Sequence, residues 1–442
     1  MNAAALGAAE AAAMIARGEL SSEALVRACA ARIAQREPAV RAWAALDLDA
    51  ALAQARACDR WTGQRGPLHG VPIGVKDVID TADLPTAYGS PIYAGHRPPW
   101  DAACVALARN AGAIVVGKTA TAEFASISPC ETRNPLALDH TPGGSSSGSA
   151  AAVADFMVPL AIGTQTGGST IRPAAFCGVV GYKPSFNRIN RAGLKFSAES
   201  LDTIGLFGRS VEDVALLASA LSGHPPLRAA RAERPPVIGL VRTSRWTAAD
   251  AAARDALEHA AGRLADAGAS LSEVELSPAF DALHDAHATI LRYEAARAMA
   301  WEVHMHSDRL SEAFALRMRE GLAIPQDRYL HAQAVARQGR QRIASKSAGC
   351  DVLLTLSARG EAPLGLDDTG DATFNRVWTL LGLPCIHLPT ETGPAKLPLG
   401  VQIVGREGED QKTLTHALWI QSVAPVLRAK TRWIQKVVAT PI

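Results

Sequence analysis

Two short runs of glycine and serine, Gly143-Gly-Ser-Ser-Ser-Gly-Ser149 and Thr166-Gly-Gly-Ser-Thr170, constrain this chain more than any other feature. Taken alone, such a run reads as a flexible linker. Here apolar segments flank both runs, and a loop pinned between buried elements is where functional side chains collect. Val71-Pro-Ile-Gly-Val75, Ala113-Ile-Val-Val-Gly117, Val158-Pro-Leu-Ala-Ile162 and Val237-Ile-Gly-Leu-Val241 read as buried strands, with Asp351-Val-Leu-Leu-Thr355 and Gly400-Val-Gln-Ile-Val404 as late ones. Helical stretches lie between them. Residues 1 to about 60 look helical, with Ser21 or Ser22 capping a helix whose apolar side carries Leu25, Val26, Cys29 and Ile33. Further helices are expected from about Ala102 to Ala111, from Ala150 to Ala154, and through a long zone ending near Ser347. This alternation predicts an α/β protein with a mostly parallel, helix-covered sheet. The charged, proline-bearing stretch Arg228 to Pro236 is the best linker candidate.

Composition narrows the class. The 442 residues are 48% apolar and 20% charged, enough for a sizeable core in one large domain or in two or three average ones. A net charge of +2 leaves no footprint for nucleic acid and no polybasic membrane patch. No stretch of 18 apolar residues is present to span a membrane. The alanine-rich start, Ala3 to Ala16, is broken by Glu10 and lacks a cationic n-region, so it reads as a helix and not a signal peptide. Seven cysteines without paired short spacings fit reduced thiols and a cytoplasmic setting.

A Gly-rich run can cradle phosphate, but neither run has the lysine or the spacing of a P-loop. Gly144-Ser-Ser-Ser-Gly148 satisfies G-x-S-x-G, which would make Ser146 the nucleophile of an α/β-hydrolase-type esterase. That elbow must follow directly on a strand, and Leu138-Asp-His-Thr-Pro142 is a poor one. A stronger pattern joins both runs to Val75-Lys76-Asp77. Lys76 closes a buried apolar run, where desolvation lowers a lysine pKa from about 10.4. A neutral amine can act as a general base near pH 7. Neighbouring side chains of an extended segment point to opposite faces, so Asp77 need not touch Lys76. A lysine too far from its nucleophile needs a proton relay, and a second serine can supply it.

From Leu68 to Leu217 the chain closely resembles the amidase signature family. The matching stretches are Leu68-His-Gly-Val-Pro-Ile-Gly-Val-Lys-Asp77, Arg133-Asn-Pro135, Thr141-Pro-Gly-Gly-Ser-Ser-Ser-Gly-Ser-Ala150 and Gly163-Thr-Gln-Thr-Gly-Gly-Ser169. They continue in Pro173-Ala-Ala-Phe-Cys-Gly178, Gly181-Tyr-Lys-Pro184 and Arg209-Ser-Val-Glu-Asp213. Weaker similarity extends to Gly382-Leu-Pro384 and Leu397-Pro-Leu-Gly-Val-Gln-Ile-Val-Gly405. Ser145 and Ser169 lie 24 residues apart, the spacing of the family pattern. The resemblance implies a Ser-cisSer-Lys triad: Ser169 as nucleophile, Ser145 after a cis peptide as relay, and Lys76 as base. It also implies an oxyanion hole built from the backbone N–H groups of Thr166, Gly167, Gly168 and Ser169, with Ser146 supporting the loop by hydrogen bonding.

Two positions depart from the common pattern. Gln165 stands where many members, including the glutaminyl-tRNA amidotransferase A subunits, carry aspartate. Arg172 follows the nucleophile by three residues instead of two, as in the malonamidase-like branch and related soil-bacterial amidases and urethanases. Arg172 is either a clamp on a substrate carboxylate or part of a structural ion pair. Leu356 and Arg359 stand where relatives often have prolines, which would reshape a pocket loop.

The implied fold is one α/β amidase-signature domain, residues 1–442, with a central mixed sheet covered by helices on both faces. Residues 1–60 supply N-terminal helices, 65–225 the catalytic core, and 235–442 a C-terminal part whose helical zone, about 245–347, shapes a substrate funnel. The implied reaction is hydrolysis of a small amide through an acyl-enzyme, with esters and aryl carbamates (urethanes) open to the same route. No cofactor, metal, nucleic acid or membrane is expected; the partner is the small-molecule substrate, with a homodimer as the candidate assembly. The rival is the A subunit of a glutamyl/aspartyl-tRNA amidotransferase. Phe374 and Trp378, with Asn375 between them, are candidate walls of the substrate pocket, though aromatic residues are more often plain core. His284 and His287 can share a helix face and His304 and His306 cannot, so exposed helix histidines are expected in place of a metal site. Chelators should therefore leave turnover unchanged, and strong inhibition by EDTA would reopen the histidine cluster as a metal site.

Overall fold

Uninterrupted aliphatic runs become the inner strands of an eleven-stranded sheet in the computed structural model, which describes residues 2–223, 227, 230–276 and 280–424. In chain order the strands are β1 (Trp43–Leu46), β2 (Pro72–Lys76), β3 (Ile114–Thr119), β4 (Leu160–Gln165), β5 (Val180–Lys183) and β6 (Thr203–Gly208). They continue with β7 (Val237–Leu240), β8 (Ser270–Glu273), β9 (Val352–Leu356), β10 (Cys385–Thr392) and β11 (Pro398–Val404). Across the sheet the order is β1-β3-β2-β4-β6-β5-β10-β11-β9-β7-β8.

Alternate residues of one strand enter different cores, which shows that both faces are covered. Val115 of β3 and Leu160 and Ile162 of β4 join the largest apolar cluster. Ile114 and Val116 of β3 and Ala161 of β4 join another, with Val26 and Ile33 from the helix Ser22–Val40. Strands buried on both faces lose the polar alternation of half-buried ones, as β2, β3 and β4 do.

The sheet is mixed, as the family resemblance implies, and not mostly parallel, as the alternation of elements alone predicts. β3, β2 and β4 run parallel at one end and β9, β7 and β8 at the other, but six of the ten neighbouring pairs among the described residues are antiparallel. The alternation of strands and helices missed β5, β6 and β10, which join the two parallel blocks. Two edge strands also interrupt stretches expected to be helical. β1 lies within the first 60 residues and β8 within the zone after 245; both are short and carry no buried aliphatic run. Of the proposed linker, 228 and 229 lie outside the described residues, and 230–236 form neither helix nor strand before β7.

Ser21, one of the two expected caps, accepts from the Ala24 N–H at 3.1 Å to start Ser22–Val40. This helix is fastened to the catalytic half by charge. Asp155, fully buried at the end of the helix Ser147–Ala154, pairs with Arg32 and, at 2.8 Å, with Arg36. Arg32 also donates to the Asp155 carbonyl at 2.8 Å. Removing the carboxylate strands a buried guanidinium, which typically costs about 3–5 kcal/mol. Asp155→Ala should therefore lose about that much stability in urea unfolding; a loss below 1 kcal/mol would contradict this role.

Candidate active site

β2 and β4 are parallel neighbours with Val75 opposite Ile162, so Lys76 and Thr164 meet near their carboxyl ends. That is where open sheets of this kind gather ligands. The Gly/Ser run lies across the same end and is no flexible linker, because its serine side chains are buried and bonded. Ser147 Oγ donates to the Gly143 carbonyl at 2.7 Å and Ser149 Oγ to the Ile162 carbonyl at 3.2 Å. Ser146 Oγ donates to the Thr164 carbonyl at 3.1 Å and accepts from the Thr164 N–H at 3.3 Å. Gly143 has a φ of +79°, and a Cβ there would lie 2.8 Å from Pro173 Cα, so only glycine fits.

Ser145 alone among these serines faces an amine. Lys76 Nζ lies 2.8 Å from Ser145 Oγ and 2.7 Å from Thr164 Oγ1. No carboxylate lies within ion-pair distance of Lys76 among the described residues. Burial pushes its pKa down from 10.5 to about 7, with the more distant charge of Asp202 pulling the other way. Asp77 points elsewhere, as the extended backbone requires: it sits 3.6 Å from Lys118 Nζ and accepts from the Ala87 N–H. The Gly144–Ser145 peptide is cis.

Ser169 lies in the second run, between β4 and the helix Ile171–Cys177, and is 7% exposed against 1% for Ser145 and 0% for Ser146. Ser146 is thus buried, bonded to backbone and without a base, which removes the hydrolase-elbow alternative. Among the described residues no acceptor faces the amides of Thr166, Gly167, Gly168 or Ser169. Gly168 has no space for a side chain: a Cβ would meet Asn375 Oδ1 at 2.5 Å and Ala372 Cβ at 2.8 Å.

Gln165 is a structural joint. Its Oε1 accepts from the N–H groups of Thr170 (2.9 Å) and Ile171 (3.0 Å), at the start of a helix with no other side-chain cap. Its Nε2 donates to Thr379 Oγ1 at 2.9 Å. Arg172 forms no ion pair among the described residues, contrary to the structural alternative. It is buried, and its Nη2 donates to the Gly144 carbonyl at 2.6 Å and to Thr369 Oγ1 at 3.1 Å. Burial lowers its pKa to about 10, so it stays charged beside the cis peptide.

Phe374 and Trp378 lie in the core beside a small cavity. They are 2% and 1% exposed, and the cavity they border, with Phe280 and His284, is only about 10 Å³. Aromatic area at helical spacing has gone to the core. His287 also differs from expectation: it is 1% exposed, with Nε2 2.9 Å from the Thr166 carbonyl oxygen. Its helix, Ala282–Ala298, lies against the catalytic loop, so this face is buried. His304 is exposed as expected, and the described residues hold no cluster able to bind a metal. Sequence reasoning missed Thr164, Asp202, His287 and Thr379. Thr164 stands inside a quoted motif, but Asp202, which accepts from Thr166 Oγ1, has no local signal.

With this geometry in view, the class is defined: a family model for amidases matches residues 24–414, and the chain belongs to that amidase-signature family of C–N hydrolases. The A subunit of the glutamyl-tRNA(Gln) amidotransferase of Acidothermus cellulolyticus is 45% identical over 289 residues, covering 60% of this chain and 57% of that protein. The match thus spans little more than half of that relative's length. Its counterpart from Anaeromyxobacter sp. is 34% identical over 93% of this chain and 94% of its own. The peptide amidase of Stenotrophomonas maltophilia superposes with a TM-score of 0.83 at 30% identity, covering 96% of this chain and 98% of that one. No helix among the described residues is long and apolar enough to cross a membrane.

The Lys76 geometry has a thermodynamic signature. A lysine protonated in the unfolded chain up to about pH 10.5 but only to about 7 when folded makes stability rise with pH across that window. Relative to Lys76→Met, the wild type should gain stability between pH 7 and pH 10. An equal gap at both pH values would show that Lys76 stays charged in the fold.

Proposed function

We propose that the chain is a self-sufficient amidase that hydrolyses small amides, and by the same route esters and aryl carbamates, through an acyl-enzyme on Ser169. The observation that carries this reading is the wholly buried Lys76 amine, bonded to Ser145 Oγ with no carboxylate among the described residues within ion-pair distance of it. Neutral Lys76 takes the Ser145 proton as Ser145 takes that of Ser169, whose Oγ attacks the substrate carbonyl carbon. The unpaired amides of Thr166 to Ser169 stabilise the resulting oxyanion, where one donor is worth about 10²–10³ in kcat. The C–N bond breaks as the proton returns through Ser145 to the leaving amine. Water then releases the acid by the same relay. Arg172, held at Gly144, keeps the relay serine in place.

A second reading follows from the named relatives: the A subunit of a tRNA-dependent amidotransferase. Gln165, joined to Thr379 at a position where the family resemblance implies aspartate in such A subunits, counts against it. The purified chain should turn over an aryl amide or aryl carbamate without tRNA or a second protein, and activity only with them would reverse the choice. Ser169→Ala should abolish turnover. In the wild type, kcat/KM should rise with pH around a midpoint near 7, as Lys76 loses its proton. Lys76→Ala should lose activity near neutrality, and a variant close to wild type would sink the proposed base.

A further inference from the structure

Three successive carbonyl groups of the catalytic loop are each held from behind. The Thr166 oxygen accepts from His287 Nε2 at 2.9 Å, the Gly167 oxygen from Thr379 Oγ1 at 2.7 Å, and the Gly168 oxygen from the Arg172 N–H at 2.9 Å. In a trans peptide the C=O and the following N–H point in opposite directions. Fixing these three oxygens therefore fixes the N–H groups of Gly167, Gly168 and Ser169 on the other side, where no acceptor meets them among the described residues. Only the last carbonyl bond belongs to ordinary helix geometry. The other two come from side chains far along the chain, on the helices Ala282–Ala298 and Arg376–Leu380.

Each side chain's donor direction is dictated. The Thr166 oxygen can only accept, so the His287 ring proton must sit on Nε2, and the buried Nδ1 has no partner among the described residues. Burial, with the charges of Arg376, His284 and Arg317 adding to it, drives the His287 pKa to about 3, so the ring stays neutral. Gln165 Oε1 is occupied by two backbone N–H groups, which turns Nε2 toward Thr379. Thr379 then accepts that proton and directs its own toward Gly167, the nearer of its two carbonyl neighbours. An aspartate at position 165 would have no proton to give.

We propose that His287 and the Gln165–Thr379 pair are positioning residues that orient the oxyanion-binding amides of Gly167 and Gly168 by holding the carbonyls behind them. This rests on the acyl-enzyme reading of Ser169. His287 touches no reacting atom and carries no proton in the reaction. Its helical zone thus shapes catalysis, not merely access.

The test is steady-state hydrolysis of p-nitrophenyl acetate, with the rate of Ser169 labelling by a fluorophosphonate probe measured in parallel. His287→Ala that keeps its circular dichroism spectrum should lose about 10²-fold in kcat and in labelling rate, with KM within about twofold. The pH midpoint should stay at the wild-type value, and His287→Gln, which keeps an N–H at similar reach, should recover at least about tenfold. A kcat within twofold of wild type, no recovery in His287→Gln, or a shifted pH midpoint would each overturn the proposal; a shifted midpoint would mean that the ring titrates. Should His287→Ala not fold, Thr379→Val decides in its place, since it removes the donor to Gly167: the same kcat loss supports the clamp and wild-type kcat overturns it. Ser169→Ala in the same assays separates the two levels. Residual turnover or labelling there overturns the nucleophile and the clamp with it, whereas a dead Ser169→Ala beside a fully active His287→Ala overturns the clamp alone.

Discussion

A lysine amine buried without a counter-charge is the constraint on which the catalytic half of this structure depends. Burial makes the charged form of Lys76 costly, and the fold answers with hydroxyl groups, those of Ser145 and Thr164, in place of a carboxylate. The neighbouring lysine shows the other solution. Lys118, equally buried on the adjacent strand, has Asp77 at 3.6 Å and the Ile79 carbonyl at 2.6 Å. Its pKa falls only to about 8, against about 7 for Lys76. Consecutive residues Lys76 and Asp77 thus face different ways: strand geometry turns the carboxylate toward Lys118 and the amine of Lys76 toward Ser145.

The remaining parts follow from delivering serines to that amine. Parallel pairing of β2 and β4 sets Lys76 beside Thr164, and Ser146 ties the first Gly/Ser run to the backbone of the same threonine. Arg172 grips the Gly144 carbonyl from the helix that follows Ser169, so the two serine loops are linked directly. The proposal of Ser145 over Ser146 as relay, which the 24-residue spacing suggested, is supported by their different surroundings. One hydroxyl faces an amine; the other is spent on backbone.

Much of this was legible in the sequence because it is local. Lys76, the two runs and their apolar flanks announce themselves, as do β2, β3 and β4, whose residues are buried on both faces. What stayed hidden depends on contacts between distant segments. β5, β6 and β10 are strands by virtue of their neighbours, and they make mixed a sheet that the alternation of elements alone would make mostly parallel; the resemblance already implied the mixed form. His287 reads as one more polar residue on a helix until the helix is seen against Thr166. Phe374 and Trp378 took the plain-core reading that the sequence also allowed, since both are buried. Gln165 was visible as a departure, but its use as a two-ended joint needed Thr379, more than 200 residues away.

The family membership defines a C–N hydrolase, and the charge state of one amine decides how such a site can work. The most direct measurement is an NMR titration of the Lys76 side chain in protein carrying ¹³Cε-labelled lysine, with the resonance assigned through Lys76→Met. A single transition near pH 7 is the expected result. A Lys76 signal that stays in its protonated position until about pH 10 would contradict the buried neutral amine on which the proposed mechanism rests.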